Sequence, residues 1–346
     1  MWVPESGYRE TLYTEILGQA IYCPSMVGFI SYLLFHFKEL GFRLDTISLQ
    51  LLWPAIYKNV MCTDSVQNQY SMKKYTSQIR SVILGLLSVT WSISSAQESH
   101  IIENVVYGFK DGMAMYYDVE IPETPNGKGI VYVISGGWHS GKENLEISRP
   151  FWEVLLAEGY TLFELYHPGM PTYKIPEAYD GAKQGLAHIL ENAEEFGVTT
   201  NSLGAFGISS GGHIALMLSM DAGTDLSYEH SIGTTVAIMA PAEITFEEFD
   251  GNIYGESPVN FDLELAPALS PVNFVSPTNP PTLLIHGTED AAVNYEKHSA
   301  RLHSMLRDTG VKSELISINA GHQIYPELEM NKTHEAMIGW FDRNLE

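Results

Sequence analysis

Cysteine is almost absent from this chain. Of 346 residues only Cys23 and Cys62 are cysteines, and both precede residue 97. The remainder holds no disulfide, which is compatible with an oxidising compartment without proving one. Basic residues are scarce too. Nineteen Lys and Arg face 42 Asp and Glu, for a net charge of −23. A surface of that sign repels nucleic acid and anionic lipid, so neither is expected as a partner. The acid is unevenly spread: residues 1–96 are close to neutral, and almost all of the negative charge follows them. Metal-ligand spacing such as HExxH is missing, so no metal or cofactor is expected.

What is present suits a large packed domain. Hydrophobic residues make up 45% of the chain, enough to bury a sizeable core. The length fits one domain of roughly 250 residues with something added.

The added part comes first. Residues 72–80 read Met-Lys-Lys-Tyr-Thr-Ser-Gln-Ile-Arg, the apolar run Val82–Val89 follows, and Ser94 and Ala96 stand just before Gln97. A positive segment, a short apolar segment and small residues at a cleavage point make a secretory signal peptide. The expected organisation is therefore an upstream extension over 1–71, a signal peptide over 72–96 and a catalytic domain over 97–346. On that reading the mature protein is secreted or periplasmic, with no stable membrane insertion after cleavage. Residues 1–71 carry no motif. Their apolar stretch Met26–Phe35 falls short of the ~20 residues that span a bilayer.

From residue 100 onward strand and helix patterns alternate. A hairpin is expected around Asp111-Gly112. Apolar runs at 130–134, 160–165, 203–206, 234–239, 282–285 and 312–318 read as strands. Helices are expected over 149–158, 175–197, 210–220, 293–309 and 333–345. Residues 241–280 are rich in Pro, Asn and acid and read as a loop or small cap. The alternation predicts an α/β fold, a mostly parallel central sheet flanked by helices.

The chemistry concentrates on a few loops. Gly207-Ile208-Ser209-Ser210-Gly211 matches Gly-x-Ser-x-Gly, a weak signal alone. Here an apolar strand precedes it and an apolar helix follows, the context of a nucleophilic serine on a tight turn. Such a serine needs a base, and the base an orienting acid. Asp290, with Glu289 as runner-up, stands on the loop after the strand at 282–285, and His322 follows the strand at 312–318. Ser, acid and His thus occur in order, each after a strand. Stabilising an oxyanion takes two backbone N–H groups, one expected from Ser210 and one from Gly136 or Gly137 after the strand at 130–134.

The remaining histidines have blander readings. His286 reads as structural and His213 as packing. His139 and His167 read as ordinary polar loop residues, and His298, His303 and His334 as surface residues on helices. Phe246, Phe249, Tyr254 and Phe261 are candidates to line the pocket or to pack a cap.

Several of these pieces resemble one group. Gly137-Trp138-His139-Ser140-Gly141, Phe206–His213, Ser270-Pro271-Val272-Asn273, Pro280–Asp290 and Gly321-His322 resemble the α/β-hydrolase superfamily over residues ~100–346. The resemblance is to its secreted esterase branch, the feruloyl- and acetyl-esterase-like proteins. It implies a triad of Ser209, Asp290 and His322 and a small-molecule ester substrate. The family's oxyanion loop usually reads His-Gly-Gly-Gly-Trp, whereas Ile134 and Ser135 fill its first two places here. The loop must therefore be braced differently. Two rival readings stand beside a serine ester hydrolase. A peptidase like prolyl oligopeptidase shares the catalytic order, but 96 residues without blade repeats do not make its propeller. A non-catalytic binding protein would have no need of an intact Ser–Asp–His set.

Overall fold

The computed structural model describes residues 99–199, 203–221, 232–249, 257–322 and 327–345. The chain divides into two units, Met1–Ile93 and Ser94–Glu346. The expected upstream extension and signal peptide lie outside the described residues. The second unit is built on one eight-stranded sheet.

The first hairpin pairs β1 (His100–Lys110) with β2 (Met113–Ile121) through the turn at Asp111-Gly112. The turn needs positive φ at both residues, 50° and 83°, which Asp tolerates and Gly adopts freely. Six strands follow: β3 (Gly129–Val133), β4 (Thr161–Leu165), β5 (Leu203–Ile208), β6 (Thr234–Ile238), β7 (Thr282–Gly287) and β8 (Ser313–Ile318). The order across the sheet is β1-β2-β4-β3-β5-β6-β7-β8. β2 pairs antiparallel with β4, and every pair from β4/β3 to β7/β8 is parallel. Strands β3 to β7 are buried along their whole length. That burial explains their unbroken apolar runs, since helices cover both faces of a parallel sheet.

The helices are α1 (Lys142–Ala157), α2 (Ile175–Asn192), α3 (Ser209–Met220), the short α4 (Phe246–Phe249), α5 (Arg301–Asp308) and α6 (Glu327–Asn344). One apolar cluster packs α2 on β2, β3 and β4, with Val131, Phe163, Leu165, Tyr179 and Ile189 at its centre. A second, on the other face, packs α1 and α6 on the sheet through Trp152, Phe206, Trp340 and Phe341.

Two differences from the sequence expectation have physical causes. α1 starts at Lys142 rather than 149, because Leu145, Ser148, Trp152 and Leu155 form one buried stripe at helical spacing that runs through Pro150. α5 is preceded by a π turn at Glu296–Ala300, which shifts the helical phase. His298 therefore turns inward and is fully buried, where a surface position was expected. Its Nδ1 accepts the Ala242 N–H at 3.1 Å.

The segment expected as a loop or cap is built of short pieces: α4 and two 3-10 turns at Leu263–Leu269 and Pro271–Phe274. Among the described residues no helix is long and apolar enough to cross a membrane.

Candidate active site

β5 ends in Ile208, and α3 begins at the next residue. No loop separates them, so the chain must turn within Ser209, whose φ is +50°. A left-handed non-glycine residue costs of order 1–3 kcal/mol and persists only where its surroundings enforce it. The neighbouring glycines are what allow it. A Cβ on Gly207 would stand 2.3 Å from the Gly211 carbonyl, and one on Gly211 would stand 2.3 Å from the Val133 oxygen. The strand end and the helix start thus touch backbone to backbone. Ser209 is left at the first turn of α3, where free N–H groups favour negative charge.

Ser209 Oγ lies 2.9 Å from His322 Nε2. His322 Nδ1 lies 2.7 Å from Asp290 Oδ2. The three residues come from the C-terminal ends of β5, β8 and β7, the sheet edge where ligands bind in open α/β folds. An ionised carboxylate only accepts, so Nδ1 carries the proton and Nε2 is free to accept one from Ser209.

Asp290 is held from several sides. Its Oδ1 accepts the N–H groups of Ala292 and Val293 at 2.9 and 2.8 Å. Its Oδ2 also lies 3.2 Å from His286 Nε2, on a side chain with no exposed surface. Burial pushes the Asp290 carboxyl up, but hydrogen bonds from His286, His322 and the Val293 amide outweigh it and hold the carboxyl well below the usual range. Glu289, the alternative acid, is exposed, and its N–H donates to the Ala320 carbonyl.

His286 was read from sequence as structural; it touches the same oxygen as His322. Its Nε2 also lies 2.9 Å from the Val293 carbonyl, and its Nδ1 lies 2.7 Å from Ser299 Oγ. The i, i+4 spacing of His286 and Asp290 off a strand end is the one trace of this in the sequence.

The loop expected to carry the oxyanion donors runs from Ile134 to Gly141 and is fastened at several points. Ile134 N–H donates to the Leu165 carbonyl at 3.2 Å, and Met170 N–H to the Trp138 carbonyl at 2.9 Å. The Trp138 indole donates to His213 Nδ1 at 3.2 Å. That fixes the His213 tautomer, so His213 Nε2 donates to the Leu269 carbonyl at 2.7 Å. Burial pushes the His213 imidazole down to about 4, so it stays neutral. His213 thus ties the loop to the cap segment as well as packing. His167 is also buried and neutral, pushed down to about 4, with Nδ1 2.9 Å from the Pro168 carbonyl. His139 Nδ1 lies 2.7 Å from Asn144 Oδ1.

Of the expected oxyanion residues, Gly136 has its N–H directed at Ser210 Oγ, 3.2 Å away. Of the aromatic candidates, Phe249 packs edge-on against Trp138 at 5.6 Å between ring centroids, and Phe246 is exposed. Phe261 packs beside the core, and Tyr254 lies outside the described residues. No cluster of His, Cys, Asp and Glu among the described residues has the geometry to hold a metal ion.

The comparisons with known proteins agree with this architecture. A family model described as BD-FAE matches residues 117–306, more than half of the chain. The chain belongs to the BD-FAE family. The BD-FAE span holds Ser209 and Asp290 and ends before His322. Among curated proteins, Esterase LipC of Mycobacterium tuberculosis is 24% identical over 217 residues, 56% of this chain and 52% of that protein. An acetylxylan esterase of Xylanibacter ruminicola is 23% identical over 224 residues, 63% of this chain and 45% of that protein. The chain thus spans about half the length of the curated relatives it matches. Among solved structures, a truncated carbohydrate esterase from gut microbiota has a TM-score of 0.57 at 18% identity, covering 72% of this chain and 99% of that one. Apo esterase 2 of Thermogutta terrifontis has a TM-score of 0.57 at 20% identity, covering 72% of this chain and 95% of that one. These likenesses establish the α/β-hydrolase fold for the BD-FAE chain.

Proposed function

We propose that this protein is a serine carboxylic-ester hydrolase that works through an acyl-enzyme on a small or carbohydrate-linked ester. The carrying observation is the continuous contact Ser209 Oγ to His322 Nε2 to Asp290 Oδ2 at 2.9 and 2.7 Å. As Ser209 Oγ attacks the ester carbonyl, His322 Nε2 takes its proton and Asp290 holds the imidazolium. The carbonyl oxygen becomes an oxyanion, stabilised by the Ser210 amide and one from the Gly136-Gly137 loop, at about 3 kcal/mol per donor. Collapse expels the alcohol, which leaves with the proton from His322. Water, deprotonated by the same imidazole, then attacks the acyl-enzyme and releases the acid and Ser209.

Likeness to an acetylxylan esterase and to a carbohydrate esterase supports an acetylated carbohydrate as the substrate class. Thermogutta terrifontis esterase 2 has been solved phosphorylated by paraoxon, which supports an organophosphorus probe as the test here. A fluorophosphonate should label the protein, and Ser209→Ala should abolish labelling together with turnover of p-nitrophenyl acetate. An unlabelled, inactive wild type would favour the binding-protein reading. Cleavage of peptide amides in preference to esters would favour the peptidase reading.

The sequence at 72–96 supports export. N-terminal sequencing of secreted protein should begin near Gln97, and recovery of Met1 in soluble cytoplasm would overturn that placement.

A further inference from the structure

We propose that the Ser210 hydroxyl is a positioning residue that latches the oxyanion loop, so that Gly137 rather than Gly136 supplies the loop's oxyanion donor. The proposal rests on the serine-esterase reading above.

Ser210 follows the nucleophile, yet its side chain is 1% exposed and faces away from solvent. Its Oγ accepts the Gly136 N–H at 3.2 Å and lies 3.3 Å from Ser135 Oγ. An amide has one hydrogen. With that hydrogen directed at Ser210 Oγ, the Gly136 amide is already engaged and is not free to meet a substrate oxygen. The Gly137 amide has no hydrogen-bond partner among the described residues. The Ser210 amide sits in the first turn of α3, where no intrahelical acceptor exists. These two remain to receive the oxyanion.

The loop needs a latch at this point. Gly137 and Trp138 are consecutive left-handed residues, φ 61° and 62°, and the tryptophan pays a steric cost there. Fastenings at Ile134 and Trp138 flank the Ser135-Gly136-Gly137 stretch. Between them, the Ser210 hydroxyl and the Gly136 carbonyl, which accepts the His139 N–H at 3.1 Å, hold the strained middle. The latch stands beside a close backbone approach of α3 to β3, since a Cβ on Gly211 would lie 2.3 Å from the Val133 oxygen. Ser135 and Ser210 together do by side-chain hydroxyls what a different loop sequence would do otherwise.

Ser210→Ala removes the hydroxyl and keeps the Ser210 amide. Expected is a fall in kcat on p-nitrophenyl acetate of about tenfold with KM within about twofold, a fraction of the 10²–10³-fold cost of losing a donor. Affinity for phenylboronic acid, which forms a tetrahedral adduct on the serine, should fall in parallel, and the melting temperature should hold within a few degrees. In the wild type, boronate binding should move the Gly137 and Ser210 amide protons downfield in nitrogen-resolved NMR and leave the Gly136 proton in place. A Ser210→Ala enzyme with wild-type kcat, or a downfield shift at Gly136 instead of Gly137, would overturn the latch. Loss of kcat only in step with the melting temperature would assign Ser210 a merely structural role and overturn it equally. A wild type that neither turns over the ester nor reacts with a fluorophosphonate would overturn the esterase reading itself, a result distinct from any of these.

Discussion

Asp290 has to stay ionised inside a protein wall, and two kinds of donor make that possible. Backbone amides hold one oxygen, while His322 and His286 converge on the other. Removing the charge without the shape tests the first requirement. Asp290→Asn should lower kcat by about 10⁴-fold, since an amide facing Nδ1 favours the wrong imidazole tautomer. Removing the second histidine tests the other. His286→Phe leaves a buried carboxylate short of a donor and orphans Ser299 Oγ, so unfolding in urea should show a loss of about 1–3 kcal/mol. Its kcat should fall by far less than that of Asp290→Asn, because Nδ1 of His322 keeps its acceptor. That Ser209, Asp290 and His322 meet was legible in sequence, because each follows an apolar strand in a fixed order. His286 and the Ser210 hydroxyl were not, because what matters is which oxygen or amide each faces. That is set by a few tenths of an ångström in the folded chain. Its place on an expected helix put His298 on the surface, and the π turn before α5 turns it inward.

At the scale of elements, the strand-to-helix turn at Ser209 depends on what is missing from its neighbours. Gly207 and Gly211 leave no room for a methyl group, and the atoms in the way are backbone, which cannot rotate aside. Gly211→Ala should therefore destabilise the fold by about 3 kcal/mol, the upper end for overpacking. It should also impair catalysis beyond that loss, since the inserted methyl pushes against Val133 at the root of the oxyanion loop. Urea unfolding and kcat on the same protein separate the two effects. The strands were read within a residue or two from their apolar runs, because burial on both faces writes itself into composition. Helix starts were read less well. The first helix begins at Lys142 rather than 149, because its buried stripe extends upstream of Pro150. The cap segment gave no periodicity because its short turns are held by specific contacts. Ser270 Oγ accepts the Ile244 N–H at 2.9 Å, and Glu248 reaches Lys297 at 2.9 Å.

For the molecule as a whole, two buried carboxylates set opposite limits on stability against pH. Asp290 has a carboxyl held below its ordinary value of 3.8, so its contribution is present above that pH and is lost as pH falls further. Glu164, on β4, behaves in the reverse sense. Burial first, then the nearby Glu120 and Asp118 carboxylates, push it up from 4.5 to about 8, and its Oε1 has no hydrogen-bond partner among the described residues. A raised carboxyl stabilises the fold below 4.5 and loses that contribution as pH climbs through about 8. The net charge of −23 pulls the same way, since self-repulsion grows as the last acids ionise. Stability should therefore peak near mildly acidic pH and decline toward pH 8.5, by roughly 2–4 kcal/mol for the Glu164 contribution. Salt distinguishes the two causes. Raising ionic strength to about 0.5 M screens surface repulsion but leaves a buried group nearly untouched. Glu164→Gln removes the titration and should flatten the alkaline decline at both salt levels, while leaving stability at pH 5 almost unchanged. Urea midpoints of wild type and Glu164→Gln across pH 5 to 8.5 at two salt concentrations measure this. A decline that high salt abolishes in the wild type, and that Glu164→Gln does not alter, would assign the whole effect to net charge.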